Sequence, residues 1–368
     1  MKVLIINRFF GGEQIPTGRM ALDAARELVR QGHEVTALTS AGQYDGAGAQ
    51  VSREARIRVV RLWTPAGIPR AVAWLLFALQ ARHRIPRMVW DTCILMTDPP
   101  LLPWLVGHVR KKAGRGRRIM AWLMDLYPEA LAASGRMNKR CVFYRTFLKS
   151  RQRSLEAADL LLCLGETQRE LLGAELAKKV RCEVVSPWDN REGMVRAQEG
   201  KFRNLALYAG NLGEAHSYRE ILAAAPHLPK GWTIRFAVRG AKESALKREA
   251  TGLGNVQVTG YASEAETPEL LASARVHLIT MSPGWEGVVV PSKMYGCVRT
   301  GRPVLFLGPE RADTAIEIRK HGWGETLHAD SSGKEVAEAI ERLGNAPTRN
   351  WKSEDGAKKF ADLVGALD

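Results

Sequence analysis

Short apolar runs separated by amphipathic stretches recur along this chain in two consecutive series. That alternation restricts the fold more than any other feature. The first series reads as strands over residues 3–6, 34–39, 56–62, 92–96, 119–124, 160–164 and 182–185. After the Gly11–Gly12 loop a helix is expected from about Thr17 to Gln31, with Gly32 as its stop. Strands this short and apolar, with helical stretches between them, suit a parallel sheet covered on both faces. The turn-rich segment Ser186–Pro187–Trp188–Asp189–Asn190 then interrupts the pattern. A second series follows over residues 205–208, 233–238, 256–259, 276–279 and 304–307. The expectation is an α/β protein of two Rossmann-like domains facing across a cleft, spanning residues 1–188 and 189–349, with a C-terminal helical segment over 350–368. A chain of 368 residues is long enough for two separate cores.

Parallel sheets bind ligands beyond the carboxyl ends of their strands, so the loops there carry the chemistry. The most informative one runs Gly284–Trp285–Glu286–Gly287 and on to Pro291–Ser292–Lys293, closed by Gly301–Arg302–Pro303–Val304. It sets one carboxylate, Glu286, beside a glycine. It then enters a helix at Ser292, read here as its cap. A helix mouth with Lys293 beside it offers free N–H groups and a full positive charge to a phosphate. Four further loops qualify. The first, with Gly11, Gly12 and Thr17, lacks the spacing of a dinucleotide fingerprint but allows close backbone approach. The second places Asp125, Tyr127 and Pro128 directly after a strand, where Asp125 is suited to orient a hydroxyl. The third gathers Gly210, Asn211, Gly213 and His216, and the fourth is Arg239–Gly240, with an arginine suited to grip a diphosphate.

Charge is distributed unevenly. Residues 1–185 hold 30 Lys and Arg against 16 Asp and Glu, whereas the remainder holds 24 against 23. The first half therefore faces something anionic. Five scattered cysteines, with no CxxC pair, argue for a reducing compartment and against a zinc site or disulfide framework. The N-terminus has no signal-peptide pattern, and the longest apolar stretch, residues 71–81, is about half of a bilayer-spanning helix.

These motifs in this order resemble the GT-B glycosyltransferases, in particular glycosyltransferase family 4 (group 1) and its colanic-acid and capsule-type subgroup. The resemblance is carried by Pro16–Thr17–Gly18–Arg19, Gly32–His33–Glu34–Val35 and Asp125–Leu126–Tyr127–Pro128. In the second half Gly210–Asn211–Leu212–Gly213 with His216, and Pro291–Ser292–Lys293 through Gly301–Arg302–Pro303–Val304, carry it further. It implies a retaining transferase that takes its sugar from a nucleotide-diphosphate donor, with no bound metal or other cofactor. The donor would lie in the second domain, against Gly210, Asn211, Gly213, His216, Arg239, Gly240, Ser292 and Lys293. The acceptor would lie in the first, against Gly11, Gly12, Thr17, Asp125 and Tyr127. Catalytic roles fall to Glu286, Asp125 and Lys293, and the C-terminal helix is expected to pack back on the first domain. One departure stands out. Many such enzymes carry a second glutamate seven residues after the first, and the aligned position here is Gly296.

The basic half then acquires a purpose. Arg70, Arg82, His83, Arg84 and Arg87 flank the apolar stretch 71–79, and Arg110–Lys111–Lys112 with Arg115, Arg117 and Arg118 follow residues 101–105. Lys139, Arg140, Arg145, Lys149, Arg151 and Arg153 interleave with Val142, Phe143, Tyr144, Phe147 and Leu148. Cations beside aromatic and apolar side chains suit an anionic membrane surface, which fits a cytoplasmic enzyme held peripherally at the inner face and a polyprenyl-diphosphate-linked glycan acceptor. No zinc-finger, RNP or helix-turn-helix signature points to nucleic acid. A nucleotide-sugar epimerase of similar two-domain fold and a catalytically inactive nucleotide-sugar-binding protein are the competing readings.

Overall fold

The computed structural model describes residues 1–11, 15–41, 56–65, 67–114, 116–191, 193–194, 196–197, 204–351 and 355–367. Gly12 and Arg115 lie outside the described residues. The chain divides into two compact units, Met1–Pro187 with Gly287–Val289 and the C-terminal helix, and Trp188–Glu286 with Val290–Ser353.

Unit 1 is built on a seven-stranded sheet of β1 (Lys2–Ile6), β2 (Glu34–Ser40), β3 (Ile57–Leu62), β4 (Thr92–Leu95), β5 (Arg118–Trp122), β6 (Leu160–Cys163) and β7 (Arg181–Val184), in the order β3-β2-β1-β4-β5-β6-β7. Every pairing is parallel, with Ile5 opposite Ala37 on one side and Ile94 on the other. One core packs Leu4, Ile6, Leu95 and Ile119 from the strands against Phe77, Leu102, Val106 and Leu155. Between β1 and β2 the helix Pro16–Arg30 buries Met20, Ala21, Ala24, Ala25 and Leu28, a spacing of three to four residues that keeps one stripe on the sheet. The helix Gly356–Gly365 packs in the same unit, its Phe360 ring 4.3 Å from that of Trp122.

Unit 2 repeats the plan with six parallel strands, β8 (Leu205–Asn211), β9 (Thr233–Arg239), β10 (Val256–Thr259), β11 (Val276–Thr280), β12 (Val304–Leu307) and β13 (Gly324–Leu327), ordered β10-β9-β8-β11-β12-β13. Its core joins Tyr208, Ile234, Phe236, Leu278 and Leu305 to Ile221, Trp232, Val336 and Ile340. Both units are thus Rossmann-like.

The periodicity predicts all of these strands except β13. That edge strand reads Gly-Glu-Thr-Leu, is half-buried throughout and offers no apolar run to see. Ser292 occupies the cap position of the helix Lys293–Arg299, but its side chain makes no cap hydrogen bond, because its backbone is already helical at φ −68°, ψ −21°. Among the described residues no helix is long and apolar enough to cross a membrane.

Candidate active site

In each unit the strand order reverses beside the first strand, between β1 and β4 in unit 1 and between β8 and β11 in unit 2. Crevices at such points are where parallel sheets hold ligands.

In unit 2 the end of β8 organises the site. Tyr208 is fully buried, and the Lys293 side chain reaches it from the helix Lys293–Arg299. Lys293 Nζ donates to Tyr208 Oη at 2.6 Å and lies 3.8 Å from the ring centre. Gly210, at φ 133°, makes room for this lysine, since a Cβ there would stand 3.3 Å from Lys293 Cδ. Gly240, at φ 130°, is more constrained: a Cβ would meet Asn211 Oδ1 at 2.6 Å and the Leu212 carbonyl oxygen at 2.7 Å. Gly213 also lies close to Asn211, with a Cβ position 3.2 Å from its Nδ2. The structure therefore brings Gly210, Asn211, Gly213, Gly240 and Lys293 together, although 85 residues separate Tyr208 from its lysine.

His216 closes the crevice on the β11 side. Its Nδ1 lies 2.7 Å from the Thr280 carbonyl oxygen, which only accepts, so Nδ1 carries the proton and Nε2 keeps its lone pair. Burial, with Lys293 as the next influence, pushes the imidazole down to about 3, so the ring is neutral at ordinary pH. Lys293 is likewise pushed down to about 7, because its surroundings solvate a charge poorly even though the residue is only half-buried by area. Arg239, opposite Asn211 in the β8–β9 ladder, lays its guanidinium over Tyr261 at 4.4 Å. Glu286 is half-buried beside the buried Trp285, and Ser292 is half-buried next to Lys293.

The position aligned with a second glutamate is not empty of acid. Asp189, from the segment joining the two strand series, brings its carboxylate to Gly296, where a Cβ would meet Oδ2 at 2.5 Å. Arg191 holds that carboxylate, with Nη2 3.4 Å from Oδ2 and its backbone N–H donating to Oδ1 at 3.1 Å.

In unit 1 the reversal point is bridged by a pair that sequence reasoning did not single out. Arg8, beyond β1, donates from Nε to Asp98 Oδ1, beyond β4, at 3.0 Å, and their backbones are joined by Arg8 N–H to the Asp98 carbonyl at 2.6 Å. Asp125 follows β5. The residue is exposed by area, but its surroundings still solvate a charge poorly. Burial and then the Asp98 carboxylate push it up to about 6, with Arg70 acting against them. Tyr127 packs edge-on against Trp74 at 6.3 Å, and Arg70 lies over the same Trp74 at 4.8 Å. The turn holding them is locked from below: the buried Arg151 donates to Glu129 Oε2 at 2.6 Å, to Oε1 at 2.8 Å and to the Tyr127 carbonyl at 2.8 Å. Gly11, at φ 67°, donates to the Gly18 carbonyl at 2.8 Å, which folds it onto the first turn of the helix carrying Thr17.

Comparison with known proteins shows what this chain is similar to. Residues 17–188 match the Glycosyl transferase 4-like domain. WbjE of Pseudomonas aeruginosa, described as a probable glycosyltransferase, is 24% identical over 275 residues, 70% of this chain and 67% of that protein. WcaI of Escherichia coli (strain K12), described as a colanic acid biosynthesis glycosyl transferase, is 23% identical over 344 residues, covering 82% of each. Among solved structures, sucrose-phosphate synthase from Thermosynechococcus elongatus superposes with a TM-score of 0.73 at 12% identity, over 100% of this chain and 96% of that one. Anabaena HepE in complex with UDP and glucose gives 0.65 at 15% identity, over 100% and 97%. WaaG, a glycosyltransferase involved in lipopolysaccharide biosynthesis, gives 0.63 at 15%, over 98% and 93%.

Proposed function

We propose that the chain is a family-4-like (group 1) glycosyltransferase of the GT-B fold, and that it moves a sugar, with retention of configuration, from a nucleotide-diphosphate donor to a glycan or lipid-linked acceptor in bacterial surface polysaccharide assembly. The single observation that carries the donor half is the Lys293–Tyr208 contact at the β8 end of unit 2. A lysine held near neutrality in a glycine-lined crevice is poised to take up a proton when a diphosphate arrives. The relatives point the same way, one by its link to colanic acid biosynthesis and one structural neighbour by its bound UDP and glucose.

In this reading the donor diphosphate lies against Lys293, Ser292, Arg239 and the backbone of Gly210, Asn211, Gly213 and Gly240. As the bond from the sugar to the diphosphate breaks, negative charge grows on the leaving oxygen, and Lys293 and Arg239 offset it without a metal ion. The neutral His216 turns Nε2 toward a sugar hydroxyl as an acceptor. Glu286 contacts the sugar hydroxyls or the positive charge developing on the ring. Asp125 and Tyr127, with Gly11, Gly12 and Thr17, receive the acceptor, where Asp125 orients its hydroxyl. The excess of positive charge in residues 1–185 supports a peripheral seat on an anionic membrane at the cytoplasmic face.

The test is a panel of nucleotide sugars and nucleoside diphosphates in thermal-shift binding, followed by chelator-treated turnover and NMR of the product's anomeric centre. Binding of at least one donor, metal-free turnover and a retained anomer are expected. An inverted anomer would remove the retaining assignment, and a panel without binding would remove the donor site.

A further inference from the structure

Two stretches of the chain combine positive charge with a complete lack of acid. Residues 56–90 hold seven arginines and no Asp or Glu, and residues 130–155 hold seven Lys and Arg and again no acid, with one of the seven, Arg151, buried against Glu129. In the fold these stretches contribute the helices Arg70–Arg84 and Val142–Leu155. Phe77, Ala81 and Leu155, on their inner sides, enter one core cluster together with the turn Leu102–Leu105, so both helices cover the same face of the unit 1 sheet. Their outer sides therefore look the same way. Trp104 of the intervening turn meets Phe147 edge-on at 6.4 Å.

Those outer sides are apolar where a solvated helix would be polar. Val72, Leu75 and Leu79 form a stripe along the first helix, the two leucines each 51% exposed. On the second, Phe143 is 74% exposed and Phe147 47%. Arg82, Lys139, Arg140, Arg145 and Lys149 stand exposed among them. Scattered apolar residues on a surface need no explanation, but stripes on two helices that flank one turn, with no acid of their own between them, do. The same helices are tied to the turn after β5: Trp74 packs on Tyr127, and Arg151 holds the Tyr127 carbonyl.

We propose that the outer sides of the helices Arg70–Arg84 and Val142–Leu155 form one docking surface for an anionic phospholipid bilayer. Phe143, Phe147, Leu75 and Leu79 enter the interfacial layer, and the surrounding Lys and Arg pair with lipid phosphates. The proposal rests on the membrane-linked acceptor reading above and gives it a place: the surface in contact with lipid borders the turn that carries Asp125 and Tyr127. An acceptor anchored in the bilayer then reaches that turn without leaving its membrane. The apolar stripes select lipid over nucleic acid, because the exposed phenylalanines and leucines would be left in water along a phosphate backbone.

The test is co-sedimentation of the full chain with vesicles of phosphatidylglycerol and phosphatidylcholine, against vesicles of phosphatidylcholine alone, at low and high salt. Binding to the anionic vesicles, lost at high salt, is expected. Phe143→Ser/Phe147→Ser and Leu75→Ser/Leu79→Ser should each weaken it by roughly tenfold or more, and Lys139→Glu/Arg140→Glu should reduce it to the neutral-vesicle level. Thermal melts matching the wild type certify the fold of each variant, and single Phe143→Ser serves where a double variant melts early. Wild-type binding in all of these variants, or a preference for duplex DNA over anionic vesicles that they leave unchanged, would overturn the surface. Nucleoside diphosphate binding by the same samples separates the two claims. If nucleotide binds and vesicles do not, the docking surface alone fails; if vesicles bind and nucleotide does not, the donor reading alone fails.

Discussion

Lys293 donates to the hydroxyl of Tyr208 at 2.6 Å while its Nζ sits 3.8 Å from the centre of the same ring. A lysine in poorly solvating surroundings needs a partner for its proton, and this one has a phenol in place of a carboxylate. The neutral partner leaves the positive charge uncompensated until an anion arrives, which suits a site for a diphosphate. Lys293→Ala should therefore lower turnover by about 100- to 1000-fold, the loss seen when one preorganised donor to a developing oxyanion is removed. Tyr208→Phe keeps the ring and removes only the hydroxyl, so it should cost far less. Steady-state release of nucleoside diphosphate measures both, and equal losses in the two variants would count against the assignment.

The same lysine predicts a proton linkage. With its pKa pushed down to about 7, Lys293 is largely neutral in the empty protein at pH 8. A bound diphosphate favours the charged form, so binding at that pH takes up a proton and weakens as pH rises further. The ligand's own last phosphate proton leaves near a pKa of about 6 and does not interfere at pH 8. Calorimetry in two buffers of different ionisation heat should show the uptake in the wild type and not in Lys293→Met. For the ligand-free protein the sign is fixed as well. Between about pH 7 and the ordinary lysine range the unfolded chain binds more protons, so this residue's contribution to stability rises with pH.

In the proposed role, Asp125 is expected to set the acid side of the activity profile. Its carboxyl is pushed up to about 6, so kcat/KM should fall as pH drops through 6. His216 cannot cause that limb, since burial holds it down to about 3. Asp125→Asn should therefore be slower and should lose the inflection near pH 6, whereas His216→Gln should be slower and retain it. Stability carries the opposite sign from Lys293. Between the ordinary carboxyl value and 6 the native state holds more protons, so the contribution of Asp125 improves as pH falls, and Asp125→Asn should melt higher than wild type at pH 7.5.

Legibility followed the range of each interaction. The apolar runs that became β1, β4, β6 and β12 are buried along their whole length, and such runs announce themselves in four residues. The glycines at 210 and 240 were also readable, because turns after strands that must approach a ligand favour a residue without a Cβ. Pairings between distant loops were not. Nothing near Tyr208 in the chain signals a lysine 85 residues on, and nothing near Arg8 signals Asp98. Nothing near Gly296 in the chain signals the acid that packs against it either: that carboxylate comes from Asp189, over a hundred positions away.

That arrangement predicts the fate of an apparent repair. Gly296→Glu would restore the aligned glutamate, but its Cβ would meet Asp189 Oδ2 at 2.5 Å and add a second carboxylate beside the first. A loss of about 1–3 kcal/mol of stability is expected, as for other overpacked positions, with no gain in donor affinity. Combining it with Asp189→Gly should recover part of that loss. If Gly296→Glu alone tightens nucleotide binding at unchanged stability, the acid at 189 does not fill that place.

The turn behind Asp125 depends on a buried ion pair. Arg151 and Glu129 are 1% and 3% exposed, and the guanidinium engages both carboxylate oxygens as well as the Tyr127 carbonyl. Two charges taken out of water together gain little over an apolar pair, but removing one partner strands the other. Glu129→Ala should thus destabilise the protein by about 3–5 kcal/mol in urea unfolding, and the double variant Glu129→Ala/Arg151→Met should recover most of it. Function separates the two. The double variant, stable again, lacks the hydrogen bond that fixes Tyr127, so its KM for acceptor should rise while its affinity for nucleoside diphosphate stays at the wild-type value. A double variant with an unchanged acceptor KM would detach Tyr127 from acceptor binding.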